Sequence, residues 1–371
     1  MTLLKKITPK KMSYFKKREF DQRSGAVSWQ SPSNIALIKY WGKKGFQLPA
    51  NPSVSFTLSE SVTRTTLAFA PTSDPDHFKV ELMFNGKINQ QFSEKVKAYF
   101  NILQEQIPFL KFFDYEINTV NTFPHSAGIA SSASAMSSLA LCLCDMEQVI
   151  SNVPDSDKIK FYEKASYFAR IGSGSAARSV YGGLVSWGKI KTLPKSSDLY
   201  ATPIEEGVHP VFKNYRDSIL IVNRGEKKVS SRQGHKLMIQ HPFAAARYAQ
   251  AANNMEKLLE AFSSGDLETF INITEQEAFT LHGMMMSSMP GFVLMEPNTL
   301  NIINAVRSYR SESGVPVSFT LDAGPNVHVL YPQQYETQVQ DFINHELLKW
   351  CVDSTLINDK MGSGPERISR K

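Results

Sequence analysis

Pro124-His-Ser-Ala-Gly-Ile-Ala-Ser-Ser-Ala-Ser-Ala-Met136 is a run of small residues that leads without a break into the apolar stretch Leu139–Cys144. The first part reads as a loop and the second as a helix, predicted over 131–150, so the loop delivers the chain to a helix start. Unpaired backbone N–H groups and the positive end of the helix dipole meet there, and Gly128, Ala130 and the serines let an anion approach the main chain closely. Ser131 and Ser132 add hydroxyl donors. The same small residues also suit a helix packed tightly on a sheet, and the segment alone leaves both readings open. No Gly-Lys-Ser/Thr follows, so it is not a Walker loop, and the G-x-G-x-x-G of a dinucleotide fingerprint is missing.

Outward from this segment, strands and helices mix without a strict βαβ rhythm. Upstream, Val27–Leu58 reads as two β-rich stretches around the polar turn Gly42–Gln47, and Thr63–Phe69 and Phe78–Phe84 alternate as strands do. Asn85-Gly86 between apolar residues is a hairpin signature that needs positive φ. Val96, Tyr99, Phe100 and Leu103 recur at helical spacing and predict a helix over 93–106. Downstream, helices are predicted over 158–171, 243–262, 266–281 and 298–312, and strands over 183–191 and 218–222. Val315–Leu321 and Val327–Tyr331 alternate about the turn Asp322-Ala-Gly-Pro-Asn326, a second hairpin. Prolines and polar residues at 194–212 mark a domain junction. The pattern is α+β in two parts, and no repeat is present.

The 371 residues are 42% hydrophobic and 20% charged, a globular composition with ample length for a core. The longest apolar run, Leu139–Cys144, is far short of the roughly 20 residues of a membrane span. The formal charge of +6 equals the excess of eight Lys/Arg over two acids in residues 1–25, and the remainder balances. Such a basic leader could touch phosphate or lipid or be merely solvated; the neutral body argues against a nucleic-acid-coating protein. The leader lacks the apolar region of a secretion signal and is Lys-rich with acids, unlike a transit peptide. Three cysteines make no disulfide framework, which points to a reducing cytoplasm.

Four further places bear chemistry. In Ala169–Gly188, five of the 20 glycines fall within Gly172 to Gly188, a density that loops around ligands and plain turns both use. Arg178, among Ser173, Ser175 and Ser179, suits a carboxylate or phosphate held by two parallel hydrogen bonds, or a structural ion pair. Asp322 is a turn residue that could also act as a base. Lys39 lies inside the apolar stretch of Ser33-Asn-Ile-Ala-Leu-Ile-Lys-Tyr-Trp-Gly-Lys43 and needs a partner. Lys227-Lys-Val-Ser-Ser-Arg232 sets cations among hydroxyls, as a diphosphate site or a solvated loop would. Cys142 and Cys144 read as core, Met284, Met285 and Met286 as packing filler, and His125 and His282 lack the partners at fixed spacing that zinc requires.

Taken in order, Ser33–Lys43, Phe123–Ala133, Arg170–Gly183 and Leu321–Asn326 resemble the signatures of diphosphomevalonate decarboxylases, in the GHMP kinase superfamily, over about Ser31 to Pro332. Gly362-Ser-Gly-Pro365 is similar to members with a long tail. The resemblance implies a two-domain GHMP-kinase-like α+β fold, with an N-terminal ribosomal-protein-like α+β domain and a C-terminal ferredoxin-like α+β domain, usually a homodimer. The division expected is a flexible basic leader over 1–25, an ATP-binding domain over 26–205 and a second domain over 206–371. It also implies ATP-dependent phosphorylation of the tertiary 3-hydroxyl of 5-diphosphomevalonate, followed by loss of phosphate and CO2 to give isopentenyl diphosphate. By the same resemblance Arg178 holds the substrate carboxylate, Asp322 orients or deprotonates the hydroxyl, and Lys39 supplies positive charge beside it. Tyr40, Lys43, Ser231 and Arg232 match diphosphate-gripping positions, with Ser173 and Ser175 beside the substrate. Ser126, Gly128, Ala130, Ser131 and Ser132 fall against the nucleotide. Mg2+ is expected with ATP, without identified ligands. The implied partners are the small-molecule substrate and ATP, with neither nucleic acid nor membrane.

His125-Ser126 stands where Thr-Ala is common, Pro52 replaces a small polar residue, and His282-Gly283-Met284 departs from His-Ala-Thr. The rivals are a 5-phosphomevalonate decarboxylase, a mevalonate 3-kinase-like enzyme, and a non-catalytic polyanion-binding module using the leader.

Overall fold

A computed structural model describes residues 19–124, 129–152, 157–225 and 231–371, with the side chains of Ser231 and Arg232 outside the description. Two sheets organise it. The first contains β1 (Gly25–Ile38), β2 (Ser53–Pro71), β3 (Val80–Phe84), β4 (Lys87–Ile88), β5 (Phe113–Asn121), β6 (Leu184–Trp187) and β7 (Thr202–Pro203). Helices α1 (Gln90–Leu103), α2 (Ser131–Ser151) and α3 (Lys158–Gly172) belong to this half. The second sheet, ordered β11-β8-β10-β9, is built from β8 (Arg216–Leu220), β9 (Ser318–Leu321), β10 (Val327–Tyr331) and β11 (Leu356–Lys360). Its helices are α4 (Ser231–Leu237), α5 (Ala244–Ser264), α6 (Leu267–Met286), α7 (Pro297–Ser313) and α8 (Glu336–Phe342).

The last strand, β12 (Glu366–Arg370), returns to the first sheet and pairs antiparallel with β1, giving the order β12-β1-β2-β5-β3-β4. Strands β1 to β7 thus lie in the first sheet and β8 to β11 in the second, after which the chain crosses back. Arg367 and Arg370 pin the returning strand to Asp145 of α2, whose carboxylate is fully buried and also accepts from the Trp29 indole N–H at 2.9 Å. On the way, the tail runs along the glycine-rich loop, and the Gly183 N–H donates to the Gly362 carbonyl at 2.9 Å. A Cβ at Gly182 would lie 2.2 Å from the Ser363 carbonyl oxygen, so close approach of two backbones requires glycine there.

β1 and β2 are long enough to serve two cores. Their outer ends, with Val27, Trp29, Leu67 and Phe69, pack against α2 and α3. Their inner ends, with Ile35, Leu37, Val54, Phe56 and Leu58, pack against Ile219 and Leu330 of the second sheet and Met255, Leu258 and Phe262 of α5. A third cluster covers the far face of the second sheet with α7 and α8. Asp359 of β11 joins the halves: its carboxylate accepts the N–H groups of Ser59, Glu60 and Ser61 at 2.8, 2.9 and 2.8 Å.

The packing reading of the small-residue helix holds for its body. Ser134, Ser137 and Ser138 are fully buried and bond Thr63, Ser31 and Thr65, drawing α2 onto the sheet. Ser131 and Ser132 open the helix at a more accessible end. The Asn85-Gly86 turn has φ of 49° and 76°, as its hairpin requires. Cys142 and Cys144 are core, as are Met284 and Met285, whereas Met286 is 46% exposed and fills no gap. Among the described residues no helix is long and apolar enough to cross a membrane, and no group of three or more His, Cys, Asp or Glu could hold a metal ion.

Candidate active site

β1 ends at Ile38, and the chain leaves the sheet at Lys39, where it meets the second half. Lys39 is buried, and its ammonium donates to the Ala36 carbonyl at 2.5 Å. Burial lowers its pKa from 10.5 to about 8; the charges of Asp322 and Glu277 oppose that fall, while Arg178 and Arg247 add to it. A lysine close to its titration point can respond to charge on a transferring group.

Arg178 lies in the 3-10 turn Gly174–Val180, inside the glycine-rich loop, and is 2% exposed. Its guanidinium donates to Ser55 Oγ at 2.8 Å, Ser53 Oγ at 2.5 Å and Asn34 Oδ1 at 3.4 Å, partners that are all neutral. Burial lowers its pKa to about 10 against the charges of Tyr40 and Asp322. The bland expectation of a direct structural ion pair is therefore replaced by a cation held by hydroxyls. Such an arrangement fixes the side chain and leaves its charge to attract an anion.

Asp322 follows β9 and is half-buried at the cleft. Its turn is tied down at both ends: Asn326 Oδ1 accepts the N–H groups of Val222 and Asn223 at 2.8 and 3.0 Å, and Gly324 N–H donates to the Asp322 carbonyl at 2.8 Å. His282 of α6 also reaches that carbonyl, with Nε2 at 3.1 Å. Burial lowers the His282 pKa to about 4, so the ring is neutral and its Nε2–H donates. The apolar position of this histidine in the sequence carried no sign of that bond.

Tyr40 packs against Trp187 with ring centroids 4.7 Å apart and against His235 at 4.3 Å. Gly174 allows the contact, since a Cβ there would come within 2.7 Å of the tyrosine ring. His235 of α4 went unread in the sequence. Its Nδ1 accepts the Gly42 N–H at 3.0 Å, and burial lowers its pKa to about 3, keeping it neutral. This bond seats α4 on the Tyr40–Lys43 segment and brings the backbone of Ser231 and Arg232, the first residues of α4, toward it. Lys43 is half-buried, donates to Gln47 Oε1 at 2.5 Å, and lies near enough to lower the His235 pKa further.

At the opposite side, Ala130 takes a left-handed conformation with φ 41° as α2 begins, with Ser131 and Ser132 in its first turn. Ser132 Oγ is 3.3 Å from Ser173 Oγ, joining the helix start to the glycine-rich loop. Ser173 also caps the end of α3, and the Ser175 carbonyl accepts from Asn34 Nδ2 at 3.4 Å. His125, Ser126 and Gly128, together with Lys227 to Ser230, lie outside the described residues. The fold thus brings Lys39, Arg178 and Asp322 within range of one another's charge, sets Tyr40 and Lys43 against His235 of α4, and joins the start of α2 to the glycine-rich loop that carries Arg178. In chemical terms it sets the buried cations Lys39 and Arg178 near the half-buried carboxylate of Asp322, an arrangement suited to a polyanionic substrate undergoing phosphoryl transfer.

A family model for the diphosphomevalonate decarboxylase-like N-terminal domain matches residues 31–201, and one for the mevalonate 5-diphosphate decarboxylase C-terminal domain matches 218–366. Diphosphomevalonate decarboxylase mvd1 of Aspergillus fumigatus is 30% identical over 322 residues, covering 81% of this chain and 75% of the relative. The chain belongs to the diphosphomevalonate decarboxylase family. The two-domain α+β architecture is that of solved family members. The mevalonate diphosphate decarboxylase of Staphylococcus aureus superposes with a TM-score of 0.79 at 29% identity, over 93% of this chain and 98% of that one. A structure of MDDEF in complex with MVAPP, AMPPCP and magnesium gives 0.77 at 29% identity, over 93% and 99%.

Proposed function

We infer that this protein catalyses the ATP-dependent decarboxylation of (R)-5-diphosphomevalonate to isopentenyl diphosphate, with ADP, phosphate and CO2 as the other products, in the mevalonate pathway. The observation that carries the reading is the convergence of Lys39, Arg178 and Asp322, each within range of the others' charge, in a chain of this family. The solved relative bound to MVAPP, AMPPCP and magnesium supports the same ligands here.

The geometry suggests how each group serves. ATP lies against the start of α2, where Ala130, Ser131 and Ser132 present backbone N–H groups and hydroxyls to its phosphates. Mg2+ arrives on the nucleotide as the substrate complex. The substrate diphosphate lies along Tyr40, Lys43 and the opening of α4 at Ser231 and Arg232. Asp322 accepts the proton of the 3-hydroxyl as its oxygen attacks the γ-phosphorus, and the Lys39 ammonium offsets the charge on the transferring phosphoryl group. The new phosphate then departs from C3 with its bonding electrons. Arg178 holds the carboxylate as its C–C bond electrons become the alkene and CO2 leaves. Ser173 and Ser175 line the same side.

The relatives of this family act on the diphosphate, which sets this reading above a monophosphate decarboxylase or a 3-kinase. We further place the enzyme in the cytoplasm as a homodimer, supported by three free buried thiols and by the resemblance. Purified protein incubated with ATP, Mg2+ and (R)-5-diphosphomevalonate is expected to release CO2 and ADP in equal amounts, with smaller yields from the monophosphate and from mevalonate. ADP without CO2 would establish a kinase, and neither product would overturn the proposal.

A further inference from the structure

Lys39 sits where the β1–β2 pairing ends, at Ile38 opposite Val54, so both polar groups of its peptide need partners other than the sheet. Each finds one in the other half of the molecule. The Lys39 N–H donates to Glu277 Oε2 of α6 at 3.0 Å, and its carbonyl accepts from Arg247 Nη2 of α5 at 3.2 Å and from Asn51 Nδ2 at 3.0 Å. Glu277 and Arg247 are in turn locked together, with Nη1–Oε1 at 2.8 Å and Nη2–Oε2 at 2.5 Å, and Asn254 Nδ2 donates to Glu277 Oε1 at 2.8 Å. Glu277 is fully buried and Arg247 is 2% exposed.

A buried ion pair is weak as a stabilising device, because desolvation offsets most of its attraction and apolar residues of similar size often serve as well. Apolar residues could not grip an N–H and a C=O at once. We propose that Arg247 and Glu277 form a positioning pair that holds the Lys39 backbone, and through it the ammonium, in register with Asp322 across the cleft. The proposal rests on the reading that Lys39 assists phosphoryl transfer. Both residues are buried and act through Lys39.

The pair also enters the charge balance at Lys39. The charged groups facing it are Asp322 beyond β9, Glu277 on α6, Arg178 on the glycine-rich loop, Arg247 on α5 and Asp217 on β8, with neutral His282 also on α6. Glu277 favours the ammonium and Arg247 opposes it. Removing the Glu277 charge alone should therefore move the alkaline limb of the rate profile to lower pH, whereas removing both charges should leave the limb nearly in place.

The experiment compares Glu277→Gln, the double variant Arg247→Met with Glu277→Leu, and Lys39→Met, measuring kcat, both KM values and the pH profile of kcat/KM on folded protein. For Glu277→Gln the expected result is a kcat lower by roughly 10- to 100-fold, the size of a small misplacement of a reacting group. Its KM values should change by less than about threefold and its alkaline limb should fall. The double variant should fold, lose kcat to a similar extent and keep its limb. If both clamp variants turn over at the parental rate while Lys39→Met is inactive, the positioning role is wrong and the role of Lys39 survives. If Lys39→Met itself turns over normally, the reading beneath the proposal fails with it. Should Glu277→Gln fail to fold, the charge-free double variant decides the matter by its kcat alone.

Discussion

Replacing Lys39 with methionine should make the enzyme more stable and inactive at once. Lys39 is buried, and its pKa falls from 10.5 to about 8, principally through desolvation. At neutral pH the folded state therefore holds a proton that the unfolded chain holds more readily, a disadvantage of about 3 kcal/mol at 1.36 kcal/mol per pH unit. Methionine removes that cost and matches the length of most of the stem, but forfeits the bond to the Ala36 carbonyl, worth roughly 1 kcal/mol. The net expectation at pH 7 is a gain of about 1–3 kcal/mol. The sign of the pH dependence is set by the same displacement. Between pH 8 and 10.5 the unfolded chain binds more protons than the folded one, so the parent protein gains stability as pH rises through this window. The variant should lack that gain. Activity runs the other way: the ammonium is about nine-tenths formed at pH 7 and about one-tenth at pH 9, so kcat/KM should fall about tenfold between them. Urea unfolding at pH 7 and 9.5, alongside CO2 release over the same range, reads both quantities. A Lys39→Met protein less stable than its parent at pH 7, or a parental kcat/KM flat to pH 9.5, would refute the reasoning.

Asp322→Asn keeps volume and turn geometry while removing the proposed base, so kcat should drop by about 10²–10⁴ with substrate KM values little changed; near-normal turnover would remove Asp322 from the chemistry. Arg178→Ala leaves Ser53, Ser55 and Asn34 without their shared donor, so it should lower kcat, raise KM for diphosphomevalonate and cost roughly 2–4 kcal/mol in denaturant unfolding. Met284 is buried with Trp41 and Ala323 in the cluster beneath Asp322. Met284→Thr, toward the usual family residue, should destabilise by about 2 kcal/mol through the cavity and unpaired hydroxyl while leaving turnover of folded protein within about twofold; a marked rise in turnover would show that the threonine has a part in the reaction. Asp359→Ala leaves the N–H groups of Ser59, Glu60 and Ser61 in β2 without their carboxylate, that of Ser61 buried, and should cost roughly 1–3 kcal/mol, read as a shift in the urea midpoint at constant slope.

The elements most legible in the sequence were those whose pattern depends only on neighbours along the chain. The hairpin at Asn85-Gly86, the strand Val327–Tyr331 and the helices from 131, 158 and 297 all carry their own periodicity or turn chemistry. The strands β11 and β12 do not. β12 is five largely exposed residues held by Arg367 and Arg370 on Asp145, a partner more than 200 positions away. Nothing in Glu366–Arg370 alone announces a strand. The site divides in the same way. Lys39 stood out because a cation within apolar sequence has to be explained, and Arg178 because of the serines around it. Glu277, Arg247, His235 and His282 did not, since each lies at an ordinary helical position and acquires its meaning from a backbone group that the fold carries to it.

That contrast follows from the architecture of the cleft. The cations Lys39 and Arg178 come from the first half of the chain, and the carboxylate Asp322 comes from the second, so neither half holds the proposed set alone. What aligns them is a layer of buried polar groups, each reaching from one half to a backbone atom of the other. Glu277 and Arg247 hold Lys39, His235 holds Gly42, and Asp359 holds Ser59 to Ser61. Apolar packing between Ile35, Phe56, Ile219 and Met255 makes the halves adhere, but it tolerates small slips. Directional bonds to fixed backbone groups do not. A phosphoryl transfer that depends on in-line placement of an attacking oxygen needs that tighter tolerance. It is therefore at the bonds that hold Lys39, more than in the apolar core or at Asp359, that substitutions should cost rate before they cost stability.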